Sequence, residues 1–185
     1  PEMNMKASRL FQLAATVLLI MIPACPASAQ QPQRELADYI KSHYMKREVY
    51  IPMRDGVKLF VCIYEPKDKD HKYPIMFDRT PYSVGPYGAD SYKGLLGPNE
   101  LFAREGYIFV YEDVRGRYTS DGEWSFAEGP DGYDTVEWAA TLEGSTGAVG
   151  TFGQSYGALV QYQLATLQPP HLRTCIPISG RVGAG

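Results

Sequence analysis

The segment Gly147-Ala148-Val149-Gly150-Thr151-Phe152-Gly153-Gln154-Ser155-Tyr156-Gly157 is the most informative part of this chain. Residues 148–152 form a short apolar run typical of a buried strand, and residues 156–167 directly behind it follow a helical pattern. Between them, residues 153–157 match the pattern G-x-S-x-G in the strand-turn-helix setting that this pattern requires. The sequence therefore predicts a sharp turn that presents Ser155 at the end of a strand.

A serine in such a turn is a candidate nucleophile, because the turn holds it in a strained backbone conformation with its hydroxyl exposed. Gly153 and Gly157 supply flanking positions without side chains to crowd it. The helix that begins at Tyr156 would point its N-terminus at the serine, so the Tyr156 N–H could donate a hydrogen bond to an oxyanion. We interpret Ser155 as the nucleophile of a serine hydrolase. The alternative is an ordinary turn serine that caps a helix.

Strands and helices alternate around this turn. Residues 47–53 and 57–64 are predicted strands joined by Arg54-Asp55-Gly56, and the Asp-Gly pair is a strong hairpin signal. Further strands are predicted at 73–77, 107–111 and 173–178, and helices at 99–106 and 130–142. This order predicts an opening antiparallel hairpin followed by a mostly parallel sheet with helices on both faces. Together with the G-x-S-x-G motif between a strand and a helix, it makes the α/β-hydrolase fold the expected one.

The N-terminal residues 1–29 have the composition of a signal peptide. Lys6 and Arg9 precede an apolar run from 10 to 22, and the small-x-small pattern at 27–29 is typical of a cleavage site. The run is shorter than the roughly 20 residues of a membrane span. Residues 30–46 are then a polar leader to a domain at 47–185, and a secreted or periplasmic protein without a membrane span is expected. An uncleaved anchor and a lipoprotein acylated at Cys25 are the alternatives.

The charge and cysteine content give no sign of nucleic-acid binding or of a metal site. With 18 basic and 21 acidic residues, no charge run and a net charge of −3, the chain has no signature of nucleic-acid binding. A small-molecule or peptide substrate is therefore expected. Cys62 and Cys175 lie in strand-like segments, where buried free thiols are commoner than a disulfide. The three histidines and three cysteines are scattered, so that neither a metal nor a cofactor is implied.

Four motifs in order resemble the cocaine-esterase-like and X-prolyl dipeptidyl-peptidase-like serine hydrolases, over residues 47–178. They are Arg79-Thr80-Pro81-Tyr82, Asp113-Val114-Arg115-Gly116-Arg117, Asp131-Gly132-Tyr133-Asp134-Thr135-Val136-Glu137-Trp138 and the segment 147–157. The resemblance implies that Tyr82 donates its phenolic O–H to the oxyanion beside the Tyr156 N–H. It also implies that the Asp113 stretch shapes its loop through side-chain hydrogen bonds, and we expect Asp113 and Arg115 to pair. The implied substrates are esters or peptide and amide bonds.

A serine nucleophile of this fold needs an acid and then a histidine later in the chain. After Ser155 the sequence has only His171 and no Asp or Glu, while His43 and His71 precede the nucleophile. We therefore expect the N-terminal part of a hydrolase domain, ending after the helix that follows Ser155 and one more strand, without activity on its own. A non-catalytic binding protein that retains part of the fold is the competing hypothesis, although such a protein has no need of the strained turn.

Overall fold

The computed structural model describes residues 31–180. The predicted signal peptide and Cys25 lie outside these residues. The helices are α1 (Gln31–His43), α2 (Glu100–Arg104), α3 (Gly129–Ala140) and α4 (Tyr156–Thr166). The strands are β1 (Tyr44–Pro52), β2 (Lys58–Pro66), β3 (Tyr73–Thr80), β4 (Ile108–Asp113), β5 (Ser145–Gln154) and β6 (Leu172–Ile178).

The predicted hairpin at the start of the domain is confirmed and is longer than expected. Strands β1 and β2 pair antiparallel from Tyr44 opposite Pro66 to Pro52 opposite Lys58, around a turn in which Gly56 has a φ of 86°. Residues 44–46, expected to belong to the leader, are the first residues of β1. Lys46 looks like an exposed polar residue in the sequence, so it hides the strand pattern. In the structure its ammonium is buried and donates to Glu48 and to three loop carbonyls, at distances of 2.6–2.9 Å.

All six strands form one sheet in the order β1-β2-β4-β3-β5-β6. The pairings of β1 with β2 and of β2 with β4 are antiparallel, whereas β4, β3, β5 and β6 run parallel to one another. The carboxyl ends of the parallel strands therefore meet at one edge of the sheet. The residues after β3 and β5, which include Tyr82 and Ser155, lie at that edge.

Both faces of the sheet are buried, as the alternation along β2 shows. Phe60, Cys62 and Tyr64 pack with Leu36 and Ile40 of α1 and with Ala103 of α2. Leu59, Val61 and Ile63 face the other way and pack with residues of α3 and α4, namely Val136, Ala139 and Leu164. The predicted architecture, a mostly parallel sheet with helices on both faces, is confirmed.

Cys62 is buried and Cys175 is partly buried, and both are free thiols. The preference for thiols over a disulfide is therefore confirmed. Between residues 31 and 180, no helix combines the length and the apolar character that crossing a membrane requires.

Candidate active site

Ser155 lies in a sharp, strained turn between β5 and α4. Its φ of 56° and ψ of −110° fall outside the regions that residues with a side chain normally adopt. The turn is held from both sides, because the Ser155 N–H donates to the Ile178 carbonyl of β6 at 2.9 Å and its carbonyl accepts from Ala158 and Leu159 of α4. The side chain is exposed. The strained, exposed turn that the sequence predicts at Ser155 is therefore present.

The two glycines of the motif meet different demands. Gly153 has a φ of 156°, and a Cβ there would lie 3.0 Å from the Gly157 backbone, so glycine is needed at 153. A Cβ at Gly157 would make only ordinary contacts of 3.8 Å, to the Arg79 carbonyl and an Asp78 carboxyl oxygen. The close packing of the turn therefore depends on Gly153 more than on Gly157.

Helix α4 directs its first N–H groups toward the same edge of the sheet. Tyr156 is its first residue, so its N–H has no acceptor within the helix. Buried Gln161 fixes the helix against the sheet: its side-chain oxygen accepts from Thr151 of β5 and from the Ile176 N–H of β6, both at 3.0 Å. The Tyr156 N–H therefore sits on a rigid element beside Ser155.

Tyr82 follows β3 and is 65% exposed, with its ring edge-on to the Tyr156 ring at a centroid distance of 6.5 Å. Its loop is anchored by buried Asp113, whose carboxylate accepts from the Val84 N–H at 2.9 Å and the Tyr87 O–H at 2.8 Å. The Arg117 guanidinium donates to the Pro81 carbonyl. The Asp113 stretch therefore shapes the loop that carries Tyr82.

The expected pairing of Asp113 with Arg115 is wrong. Arg115 makes a bidentate contact with Asp131 of α3, at 2.6 and 2.8 Å, and a further contact with Asp55 in the hairpin turn. Asp113 instead accepts hydrogen bonds from the loop after β3, so the two side chains have separate partners. The chain turns at Gly116, whose φ is 68°. Glycine is required there, since a Cβ would lie 2.3 Å from the Trp124 nitrogen.

An open cleft of about 710 Å³ lies over the turn. This volume is within the usual range for small-molecule sites. Its lining contains the predicted nucleophile, the predicted oxyanion tyrosine and uncharged neighbours: Tyr82, Phe126, Ser155, Tyr156, Leu159, Gln163 and Ser179. The structure thus brings Ser155, Tyr82 and Tyr156 to one cleft, whose described lining is largely aromatic and carries no formal charge.

Beneath the cleft lies a buried ionic cluster that the sequence did not reveal. Arg79 is 3% exposed, and its guanidinium contacts Glu112 at 2.5 Å and the Glu128 carboxylate at 3.2 Å. Thr135 donates to Glu112, and Asp131 lies at the edge of the cluster. Burial raises the pKa of Glu112, and Arg79 opposes that rise. The only sign of this cluster in the sequence was that the motifs at the ends of predicted strands and helices contain many charged residues.

None of the three histidines lies at the cleft. His43 stacks on Tyr39 of α1, and His71 pairs with Asp68 in the exposed loop before β3. His171 precedes β6 at the amino edge of the sheet and contacts Glu137 at 2.7 Å, opposite the edge where Ser155 lies. No side chain among residues 31–180 forms a hydrogen bond with the Ser155 hydroxyl, and no group of three metal-binding side chains occurs in that range.

Asp78, on β3 behind the turn, is a partly buried carboxyl whose pKa burial raises to about 6, against an opposing effect of Lys93. The folded state therefore binds this proton more tightly than the unfolded chain, whose aspartates titrate near 4. The resulting stability is present below pH 4 and is lost as the pH rises to about 6. Asp78→Asn should thus raise the free energy of unfolding by about 1–2 kcal/mol at pH 8 and by little at pH 4.

Urea unfolding at both pH values measures this effect. The matched control is Asp90→Asn, which alters an exposed aspartate of the loop after β3 and should change neither value. A lower free energy of unfolding for Asp78→Asn at pH 8 would contradict this prediction. It would show that the folded protein favours the ionised form of Asp78.

Comparison with known proteins places these observations in a family. Residues 55–184 match the family described as X-Pro dipeptidyl-peptidase (S15 family). The chain is 35% identical over 134 residues to the cocaine esterase of Rhodococcus sp. (strain MB1 Bresler), an alignment covering 70% of this chain and 22% of the esterase.

Solved structures of hydrolases are also similar to this chain. An alpha-amino acid ester hydrolase superposes with a TM-score of 0.67 and 34% identity, over 76% of this chain and 26% of that one. An aminopeptidase from the marine sediment archaeon Thaumarchaeota archaeon gives 0.69 and 30%, over 79% of this chain and 27% of the other. These similarities confirm the α/β-hydrolase fold. The chain spans about a quarter of the length of these relatives.

Proposed function

The chain belongs to the X-Pro dipeptidyl-peptidase (S15) family of hydrolases, and on that basis we propose that it supplies the nucleophile and the oxyanion site of a serine hydrolase. The proposed reaction is cleavage of an ester or amide bond through an acyl-enzyme on Ser155. The observation that carries the proposal is the strained turn at Ser155, which opens into the same cleft as Tyr82 and Tyr156. A turn serine that merely caps a helix would not need this backbone conformation, and Ser155 makes no side-chain cap.

In the proposed reaction the Ser155 hydroxyl oxygen attacks the substrate carbonyl carbon, and a general base accepts the hydroxyl proton. The carbonyl oxygen becomes an oxyanion, to which the Tyr82 O–H and the Tyr156 N–H donate. Collapse of this intermediate breaks the bond to the leaving group, which takes the proton from the base. Water then cleaves the acyl-enzyme by the same steps and regenerates Ser155.

We propose that the general base lies outside this chain. All three histidines have positions in the structure, and none of them reaches Ser155. The relatives are about four times as long as the matched region, so they have ample sequence for a base and its acid. This chain alone is therefore expected to show no turnover.

The relatives are named for esters, for alpha-amino acid esters and for peptides. The cleft lining described here is uncharged and rich in aromatic side chains, with no carboxylate to bind a protonated amine. These features support an acyl group that is neutral where it meets this lining. Export directed by residues 1–29 is part of the proposal and is supported by their composition.

Labelling with a fluorophosphonate probe tests the proposal. The full-length hydrolase containing this chain should form an adduct on Ser155, and this chain alone should not. One tryptic peptide, residues 118–173, carries Ser155 together with Ser120, Ser125 and Ser145, so fragmentation must assign the adducted serine. An adduct on another serine, or none in the full-length protein, would refute the proposed function. An adduct on this chain alone would refute only the external base.

Tyr82→Phe removes the proposed O–H donor and keeps the ring. We expect kcat to fall by about 10²–10³-fold, because the lost donor acts mainly on the charge that develops in the transition state. KM should change far less. Steady-state kinetics on a chromogenic ester measure both. Tyr50→Phe, which removes the hydroxyl of an exposed tyrosine on β1, is the matched control and should behave as wild type. An unchanged kcat in Tyr82→Phe would remove Tyr82 from the oxyanion site.

A further inference from the structure

Glu128, just before the first residue of α3, is a buried side chain with one partner in the cleft lining, Tyr156, and one outside it, Arg79. It is 2% exposed. One carboxylate oxygen accepts from the Tyr156 O–H at 2.6 Å, and the other lies 3.2 Å from an Arg79 nitrogen. The Glu128 main-chain carbonyl accepts from Arg79 as well, at 2.7 Å. The residue therefore joins the first residue of α4 to the end of β3.

The two partners of Glu128, Tyr156 and Arg79, are each linked through the main chain to one of the proposed oxyanion donors. Tyr156 carries the backbone N–H donor, and its ring is the group that Glu128 holds. Arg79 precedes Tyr82 by three positions, at the point where β3 passes into the loop. Burial, followed by the hydrogen bond to Glu128, raises the pKa of the Tyr156 phenol, so the phenol stays protonated and donates.

The aromatic wall of the cleft depends on the same residue. The Glu128 N–H donates to the side-chain oxygen of Gln163 at 2.8 Å, and the Gln163 amide nitrogen donates to the Phe126 carbonyl at 2.8 Å. Gln163 and Phe126 both line the cleft. A shift of Glu128 would therefore move the wall together with the oxyanion site.

We propose that Glu128 is a positioning residue of the oxyanion site, which sets the Tyr156 backbone N–H against Tyr82 by holding the Tyr156 phenol. This inference rests on the proposed function. Glu128 is not part of the cleft lining described above, so its effect passes through Tyr156. A small misplacement of such a donor lowers the rate sharply, because the stabilising interaction must match the transition state.

A double-mutant cycle in the full-length hydrolase tests the proposal. Glu128→Gln keeps the size of the side chain but removes the negative charge that faces Arg79 and one of the two carboxylate oxygens, which weakens the acceptor of the Tyr156 phenol. Tyr156→Phe removes only the phenolic oxygen and keeps the N–H. Each variant should lower kcat by about 10–100-fold with KM within about twofold, and the double variant should be no slower than the slower single variant. Rates are normalised to active sites titrated with the fluorophosphonate.

The control is Glu137→Gln, which removes the same charge from α3 at the His171 contact and should leave kcat unchanged. A normal kcat for Glu128→Gln, with lower thermal stability, would overturn the proposal and leave Glu128 as the counter-ion of Arg79. Effects that multiply in the double variant would overturn it too. If Glu128→Gln does not fold, Tyr156→Phe decides alone, and a normal kcat overturns the proposal. Failure of the wild type to label at Ser155 would instead refute the proposed function.

Discussion

Replacing Ser155 by alanine is expected to lower kcat of the full-length hydrolase by about 10⁶-fold and to abolish fluorophosphonate labelling. The loss is large because Ser155 is the one residue of the described cleft lining that lies in the strained turn between a strand and a helix. The remaining lining is Tyr82, Phe126, Tyr156, Leu159, Gln163 and Ser179. Hydrolysis of a chromogenic ester and mass spectrometry of the labelled protein measure the two effects.

The control for this substitution is Ser42→Ala. It removes a hydroxyl whose hydrogen-bond partners all belong to the same helix, α1. It should retain full labelling and activity. If Ser155→Ala kept more than a hundredth of the wild-type kcat, the acyl-enzyme mechanism would be wrong, and water attack assisted by the oxyanion donors would be the better account.

Replacing Arg79 by methionine is expected to lower the free energy of unfolding by about 3–5 kcal/mol. The methionine fills similar space, but Glu112 and Glu128, which are 0% and 2% exposed, lose their buried cation. A carboxylate left alone in a core must either keep an uncompensated charge or take up a proton. Urea unfolding measures the change.

A second ion pair of the same chain provides the control. Arg54 contacts Asp134 at 2.7 Å, but its side chain is 57% exposed, and Arg54→Met should cost less than about 1 kcal/mol. Adding Glu112→Gln to Arg79→Met should recover part of the loss, because one unpaired carboxylate is then neutral. Equal costs for the two arginine substitutions would show that the buried cluster contributes no more than a surface pair.

The elements that the sequence predicted well have local signals. Asp55-Gly56 marked the hairpin, and the apolar run before Gly153 marked β5, because turn chemistry and periodicity act over a few residues. The strained turn at Ser155 was predictable for the same reason. Strand β1 was predicted to begin too late, because Lys46 reads as a polar leader residue although loop carbonyls remote in sequence surround its ammonium.

The supports of the candidate site were not predictable from local patterns. Glu128 and Arg79 are charged residues that a sequence pattern assigns to the surface, and only the crossing of β3, α3 and α4 buries them together. Asp113 and Arg115 were expected to pair because they are close in sequence. Their actual partners, in the β3 loop and on α3, depend on tertiary contacts.

The strand order has a consequence for how the domain assembles. The β1–β2 hairpin pairs strands that are joined by a short turn. Strand β5, by contrast, pairs with β3, which lies far from it in the sequence: Val149 is opposite Ile75. Contacts distant in sequence carry a greater loop-closure entropy and form more slowly. The bend at Ser155 is held by hydrogen bonds to β6 and α4, so we expect it to form late in folding. In a newly made, still unfolded chain, Ser155 would lack the strained conformation on which the proposed reaction depends.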